Sequence, residues 1–423
     1  MDFVYQIGPA EPDPDKFWKN TGKEWNDGLE FFLRKHKAVE EAAHKMVAPT
    51  DPPEEMLRKI YALVQGLRNT TYEPEKTEKE EKRNKEKPPE TVDDVWKHGY
   101  GNAVQIRWLF LGLARAARFE AYGCWVASRN EYFFNPTLMD SAGLNINVVL
   151  VKLNGKDIYL DPGTAFAPFG LLPWNETSTP GLRLDKEGGA WIRTPLPDSA
   201  ESQIYRKAHF KLSATGDLEG KLATTYTGLE AMYRRLEVRN ADEMGRKEYL
   251  EELVKAQIPA GAELELTKKP DWSSPEMPLQ AEFAVKIQGW ASSTGRRILV
   301  PVGIFAGDER GVFESTDRVH PIYFAYPYSK RDDIVIELPL GWRAMSVPQA
   351  RTQKGNSIVY SVTVEDNPKT LHITRQLDND IFLLQRTNYP ALRRFFQLVR
   401  LADEEQIVLL PPAVSDQDST RPE

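Results

Sequence analysis

The stretch from His98 to Pro162 constrains the fold more than any other part of this chain. It opens with Gly99-Tyr100-Gly101-Asn102-Ala103-Val104-Gln105, a glycine-punctuated turn with an amide side chain placed to start a helix. The apolar spacing that follows predicts a helix from Val104 to Ala117, then an apolar strand around Tyr122 to Ala127. Leu144 to Val151 reads as a second strand and Asn154-Gly155 as a tight turn. Lys156 to Leu160 then reads as a third strand, ending on Asp161-Pro162. The offset between Asn147 and Asp161 suits two neighbouring strands joined by that turn.

Helix start, strand, turn and strand closing on a carboxylate form the layout of a papain-like thiol site. Such a site holds its nucleophile at the first turn of a helix, where unpaired N–H groups and the dipole favour thiolate. A histidine on a neighbouring strand moves the proton, and a carboxylate or amide orients that imidazole. Here Ala103 stands at the helix start and Asn147 on the strand, and only Asp161 keeps a residue of the required type.

These residues resemble the bacterial transglutaminase-like superfamily, in the group with a leading β-rich domain of unknown function. The nucleophile motif of that superfamily is a glycine-rich turn, Asp or Asn, Cys, one spacer and an acid, leading into a helix that ends Ala-Ala-Gly. Against it stand Gly99 to Gln105 and then Leu109 to Ala121, with Ala103 at the nucleophile, Gln105 at the acid and Arg118 at the usual glycine. Asn147-Val148-Val149 puts Asn147 at the histidine, while Tyr159-Leu160-Asp161-Pro162 keeps the carboxylate segment. Pro162 to Trp174 adds specificity to the likeness, which runs from about residue 15 to 411 and weakens after 200. The leading β domain of the group has no counterpart in this sequence.

The resemblance implies an α+β protein: a papain-like transglutaminase core, two β-rich, sandwich-like sections and a C-terminal helix. The expected divisions are a helical lead over 1–48, the core over 49–197, β-rich sections over 198–318 and 319–411, and a disordered tail over 412–423. Within the core, 73–90 reads as a charged surface excursion and 174–197 as a linker rich in Gly, Pro, Ser and Thr. A single helix is expected from Trp25 to Val47, and another from the capped start at Thr50 to about Leu67. In the second half a helix over Leu229 to Gln257 is expected to break near Asn240 or Gly245. The C-terminal helix, Tyr389 to Glu404, is expected to bury Tyr389, Leu392, Phe396 and Val399.

A methyl group cannot attack a carbonyl, and an Asn amide exchanges no proton near neutral pH. Losing one member of such a unit costs on the order of a millionfold in turnover, roughly 8 kcal/mol of barrier. The expected function is therefore a pseudoenzyme whose degenerate cleft or β-rich sections bind a peptide, a cell-wall polymer or a protein. Tyr100, Asn102, Gln105, Ala103, Asn147 and Asp161 are the groove candidates, with Trp96 and Trp125 as walls or core. A cleft filled by Arg107 or Trp108 would instead favour a structural spacer or docking protein. The third possibility is an active acyltransferase or hydrolase with a rearranged site, for which Cys124 is the one thiol in the chain.

No cofactor or metal site is expected, because the histidines lack paired ligands. A net charge of -7 argues against a nucleic-acid surface. No apolar run approaches the ~18 to 20 residues of a membrane span, and the N-terminus lacks the pattern of a signal peptide. Compartment and oligomeric state are left open by these features.

Overall fold

The computed structural model describes residues 13–46, 50–74, 87–130, 133–306 and 311–412. The chain forms two compact units, 1–197 and 198–423. Most of the charged excursion and all but the first residue of the expected tail lie outside the described residues.

In the first unit a largely apolar helix, Ala103–Ala116, is the element around which the others pack. Ile106, Leu109, Phe110 and Leu113 are fully buried against Leu29, Val39, Leu57, Ile60 and Val95 of the helices Pro14–Leu33, Lys37–Met46, Pro53–Gln65 and Val92–His98. The same cluster reaches Val149, Val151 and Leu160 of a five-stranded antiparallel sheet. Its order is Lys156–Leu160, Ile146–Leu153, Ala121–Val126, Pro180–Arg183, Ala190–Arg193. Asn154 and Gly155 both take positive φ, as the two-residue hairpin turn demands.

The expected single helix from Trp25 to Val47 is two helices, Pro14–Leu33 and Lys37–Met46. His36 Nδ1 sits 2.8 Å from the Leu33 carbonyl at the end of the first. The second is capped from a distance, since Asp93 Oδ1 accepts from the N–H groups of Ala38 (3.0 Å) and Val39 (3.2 Å).

The Ala103–Ala116 helix closes in a Schellman turn: Phe119 N–H donates to Ala114 O and Arg118 N–H to Arg115 O. Arg118, at the position where glycine is usual, is held there at φ 68° with its side chain exposed. A left-handed backbone costs a β-carbon-bearing residue energy that glycine does not incur. Arg118→Gly is therefore expected to stabilise the first unit by roughly 1 kcal/mol, read as a higher urea midpoint at unchanged m-value; a lower midpoint would contradict it.

The second unit contains an eight-stranded sheet, a four-stranded sheet and the helices Gly228–Glu237, Glu243–Lys255 and Tyr389–Asp403. The larger sheet runs Glu263–Lys268, Leu279–Ile287, Leu218–Tyr226, Gln203–Leu212, Tyr328–Glu337, Thr370–Asn379, Ile358–Asn367, Arg351–Lys354. All its pairings are antiparallel except Gln203–Leu212 with Tyr328–Glu337. That parallel pairing corrects the expected division at 318/319, because strands from both sides of it share one sheet and one apolar cluster. The expected 229–257 helix is interrupted at 238–242. Tyr389, Leu392, Phe396 and Val399 are buried as their helical spacing predicts.

One face of the large sheet carries the core and the other carries polar side chains. On Gln203–Leu212 the residues Ile204, Ala208, Phe210 and Leu212 face inward, while Lys207, His209 and Lys211 are exposed. Imidazole and carboxylate groups meet across the open face: His209 Nε2 lies 2.7 Å from Glu337, and His372 Nε2 lies 2.8 Å from Asp333.

Candidate functional site

The turn before Ala103 folds as a capping box. Asn102 Oδ1 accepts from Gln105 N–H at 2.9 Å, and Gln105 Oε1 accepts from Asn102 N–H at 2.9 Å. Gln105 Nε2 also donates to the Pro89 carbonyl at 2.9 Å. The amide standing where an acid was expected is thus committed to helix start and loop docking. The N–H of Ala103 itself donates to Thr71 Oγ1 at 2.8 Å. A thiol enzyme would leave that group to an oxyanion; here a threonine takes it.

One turn further along the same face comes Arg107, 6 % exposed. Its Nε and Nη2 grip Asp161, with Nη2 2.8 Å from Oδ2 and Nε on Oδ1. Nη1 donates to Asn147 Oδ1 at 3.1 Å, and Nη2 also reaches Thr164 Oγ1 at 3.3 Å. Glu176 Oε1 lies 3.7 Å from the same guanidinium. The loop after Asp161 folds around the carboxylate, since Oδ1 accepts from Gly163 N–H (2.9 Å) and Thr164 N–H (3.1 Å). Gly163 is packed so closely that a β-carbon there would lie 2.4 Å from the Ala103 carbonyl oxygen and 2.8 Å from Arg107 Nε.

The Arg107 guanidinium thus fills the space between Asn147 and Asp161. Asn147 and Asp161 both bind the guanidinium, and Ala103 stands one turn before it against Gly163. Asn147, Asp161 and Glu176 are each 2 % exposed or less. Burial opposes the charge on Arg107, but Asp161 more than offsets this and holds it above its ordinary value. Burial likewise pushes the Asp161 carboxyl up, and Arg107 outweighs it, holding Asp161 below the usual carboxylate range. For Glu176 the balance goes the other way: burial first and the Asp161 charge second outweigh the attraction of Arg107 and push it well above its ordinary value.

The remaining groove candidates have other occupations. Trp125 packs 5.4 Å from Trp25 between ring centroids, and Trp96 is half-buried against the same apolar cluster, so neither walls an open groove. Tyr100 donates its hydroxyl to the Lys87 carbonyl at 2.9 Å and stacks on His98. Trp108 meets Phe32 edge-on. Cys124 is fully buried in a sheet strand beside Val148 and Leu150, and burial pushes its thiol up to about 12. Among the described residues no group of His, Cys, Asp and Glu could hold a metal, and no helix is long and apolar enough to cross a membrane.

Against known proteins, residues 296–409 match a family model described as "Domain of Unknown Function with solved-structure structure (DUF3858)". The match covers less than half of the chain. No curated protein matches it. The fold is similar to a crystal structure from Parabacteroides distasonis ATCC 8503 described as a "putative protease", with 12% sequence identity and a TM-score of 0.53. That likeness covers 93% of this chain and 58% of the other, so this chain spans less than two thirds of that protein's length.

The matched stretch holds a second buried charge cluster, read from the sequence as plain strand and helix. Arg375 donates to Asp403 through Nε (2.8 Å) and Nη2 (2.9 Å), and Tyr360 donates its hydroxyl to Asp403 at 2.6 Å. Arg375 also lies 3.9 Å from Asp332, which is bound at 2.6 Å by Arg206 of the neighbouring parallel strand. Sequence reading likewise missed Glu176 and Thr71. The available signal was Arg107 itself, a lone charge on the apolar face of a helix.

Proposed function

We propose that the first unit is a papain-like, transglutaminase-like core that has lost its chemistry, and that the chain is a non-catalytic structural or docking protein. The observation carrying this reading is the buried Arg107 guanidinium between Asn147 and Asp161, where a thiol enzyme needs imidazole and substrate. Both oxygens of Asp161 are taken up by that guanidinium, so the carboxylate has nothing left with which to orient an imidazole. The Ala103 N–H is equally spent on Thr71. An extended peptide has no place at Asp161 without displacing a buried ion pair. Partner binding is accordingly assigned to the outer surfaces of the units rather than to a cleft.

The runner-up is a hydrolase or acyltransferase with a rearranged site, and the description of the structural neighbour as a protease favours it. Such an enzyme needs an activated nucleophile, and the one cysteine is buried with its proton held tightly. Acyl-transfer, peptidase and thiol-probe assays of the wild type and Cys124→Ser separate the two readings. The expected result is no turnover and no labelling of the native protein in either form. Turnover by the wild type that vanishes in Cys124→Ser would overturn the non-catalytic reading.

A further inference from the structure

Beside the Arg107 centre the charge count does not close. Arg107 contributes one positive charge and is already bound through Nε and Nη2 by Asp161. Glu176 brings a second buried carboxyl, 3.7 Å from the guanidinium through Oε1, while its Oε2 has no hydrogen-bond partner among the described residues. Two ionised carboxylates against one guanidinium would leave a net negative charge out of water, an arrangement proteins avoid by keeping a proton. We propose that Glu176 is the proton-bearing member of a carboxyl pair with Asp161, and that this proton latches the 174–177 turn over the Arg107 centre.

The groups facing Glu176 leave it no other compensation. From the central helix comes Arg107, committed to Asp161 and Asn147. From the loop after the third strand come Asp161 itself and Thr164. Tyr72 enters from the 70–72 turn, with its hydroxyl accepting from Ala165 N–H at 3.1 Å and its phenol raised by burial. Arg129 lies on the flanking turn, with Nη2 on Thr177 Oγ1 and its guanidinium over the Trp174 ring at 5.6 Å. Asn147, from the adjacent strand, is neutral. Burial and the Asp161 charge both raise the Glu176 carboxyl, so the two observations agree. The turn it belongs to is tied down on either side: Thr194 Oγ1 donates to the Glu176 carbonyl at 2.6 Å, and Arg129 N–H donates to the Asn175 carbonyl at 3.0 Å.

The direction in pH follows from the raised value. The stabilising contribution of a carboxyl raised on folding is fully present below its ordinary pKa and is lost as pH rises through the raised one. Alkaline pH is therefore the condition that releases the turn, while Asp161, held low, sets an opposite loss in acid. The latch goes beyond the non-catalytic reading and does not rest on it. Detected turnover would leave the latch standing, and a failed latch would leave the absence of turnover standing.

Amide hydrogen exchange at Gly163, Thr164, Glu176 and Thr177, corrected for intrinsic rates, tests it on the full chain between about pH 6 and 9. In the wild type, protection is expected to fall by up to about tenfold per pH unit between the ordinary glutamate pKa and the raised Glu176 value, one proton's worth, and to level off above it. Glu176→Gln, neutral at every pH, is expected to stay protected and flat. Wild-type protection that does not change, or the same alkaline loss in Glu176→Gln, would overturn the latch. If Glu176→Gln does not fold, the wild type decides alone through carbon-13 NMR of labelled glutamate carboxyls. One carboxyl titrating well above the others supports the latch, and all of them titrating in the ordinary range overturns it.

Discussion

Arg107→Leu is expected to destabilise the first unit by about 3 to 5 kcal/mol at neutral pH, the cost of leaving a buried carboxylate without its partner. For a unit of this size that is on the order of 10 °C in Tm. The loss arises because Asp161 has been taken out of water on the strength of one guanidinium, which also donates to Asn147 Oδ1 and Thr164 Oγ1. The pH dependence gives the prediction its sharper form. In the wild type the Asp161 carboxyl is held low by Arg107, so its contribution is present above the ordinary Asp pKa and is lost as pH falls. Without Arg107 the largest influence lowering the Asp161 carboxyl is gone, its pKa rises under burial, and the variant gains relative stability as pH falls. Urea denaturation near pH 7 and near pH 4 should thus show a gap between wild type and variant that narrows in acid. A gap below roughly 1 kcal/mol at neutral pH, the size of a surface ion pair, would mean that Arg107 braces nothing. Replacing Arg107 and Asp161 together by apolar residues should recover much of the loss, since a buried ion pair is often matched by good packing.

The parts of this centre differ in how far the amino-acid sequence reveals them. The helix start is legible because its determinants are local: Asn102 and Gln105 lie three residues apart and cap each other. The approach of Asn147 to Asp161 is legible for the same reason, through the Asn154-Gly155 turn. Glu176 is not, because it lies among Pro173, Trp174, Asn175 and Thr177, a stretch without periodicity that reads as a surface linker. Only the fold of the whole unit buries it. The break between the first two helices is hidden likewise, as the carboxylate capping the second belongs to Asp93, across 55 residues of chain. In the second unit individual strands are visible by alternation. The parallel pairing of Gln203–Leu212 with Tyr328–Glu337 has no local signal, and so the division expected at 318/319 failed. Arg206 and Arg375 occupy inward positions of otherwise alternating strands. Such exceptions to the apolar pattern mark a buried network more reliably than a motif does.

That second network carries the other large expected effect. Asp403→Ala removes the acceptor of two hydrogen bonds from Arg375 and one from Tyr360, all buried at the end of the C-terminal helix. Arg375 would then turn to Asp332 at 3.9 Å, a carboxylate already engaged by Arg206. Two guanidinium groups would share one negative charge away from water, and the expected loss is about 3 to 5 kcal/mol. Asp403→Asn keeps one acceptor oxygen for Tyr360 and Arg375 Nε but loses the charge and the acceptor for Nη2, and should fall between wild type and alanine. Tyr360 supplies a second readout. Burial first and the Asp403 charge second hold its phenol above the ordinary tyrosine range, so part of that elevation should disappear in Asp403→Ala, visible as earlier tyrosinate absorbance on alkaline titration. Urea unfolding measures the stability term, and a loss for Asp403→Ala no larger than that of an exposed ion pair would show the network to be incidental. Because Tyr360, Arg375 and Asp403 all lie within the stretch matched to the domain of unknown function, a large loss would identify the buried arginine network, rather than any surface feature, as what holds that part of the chain in shape.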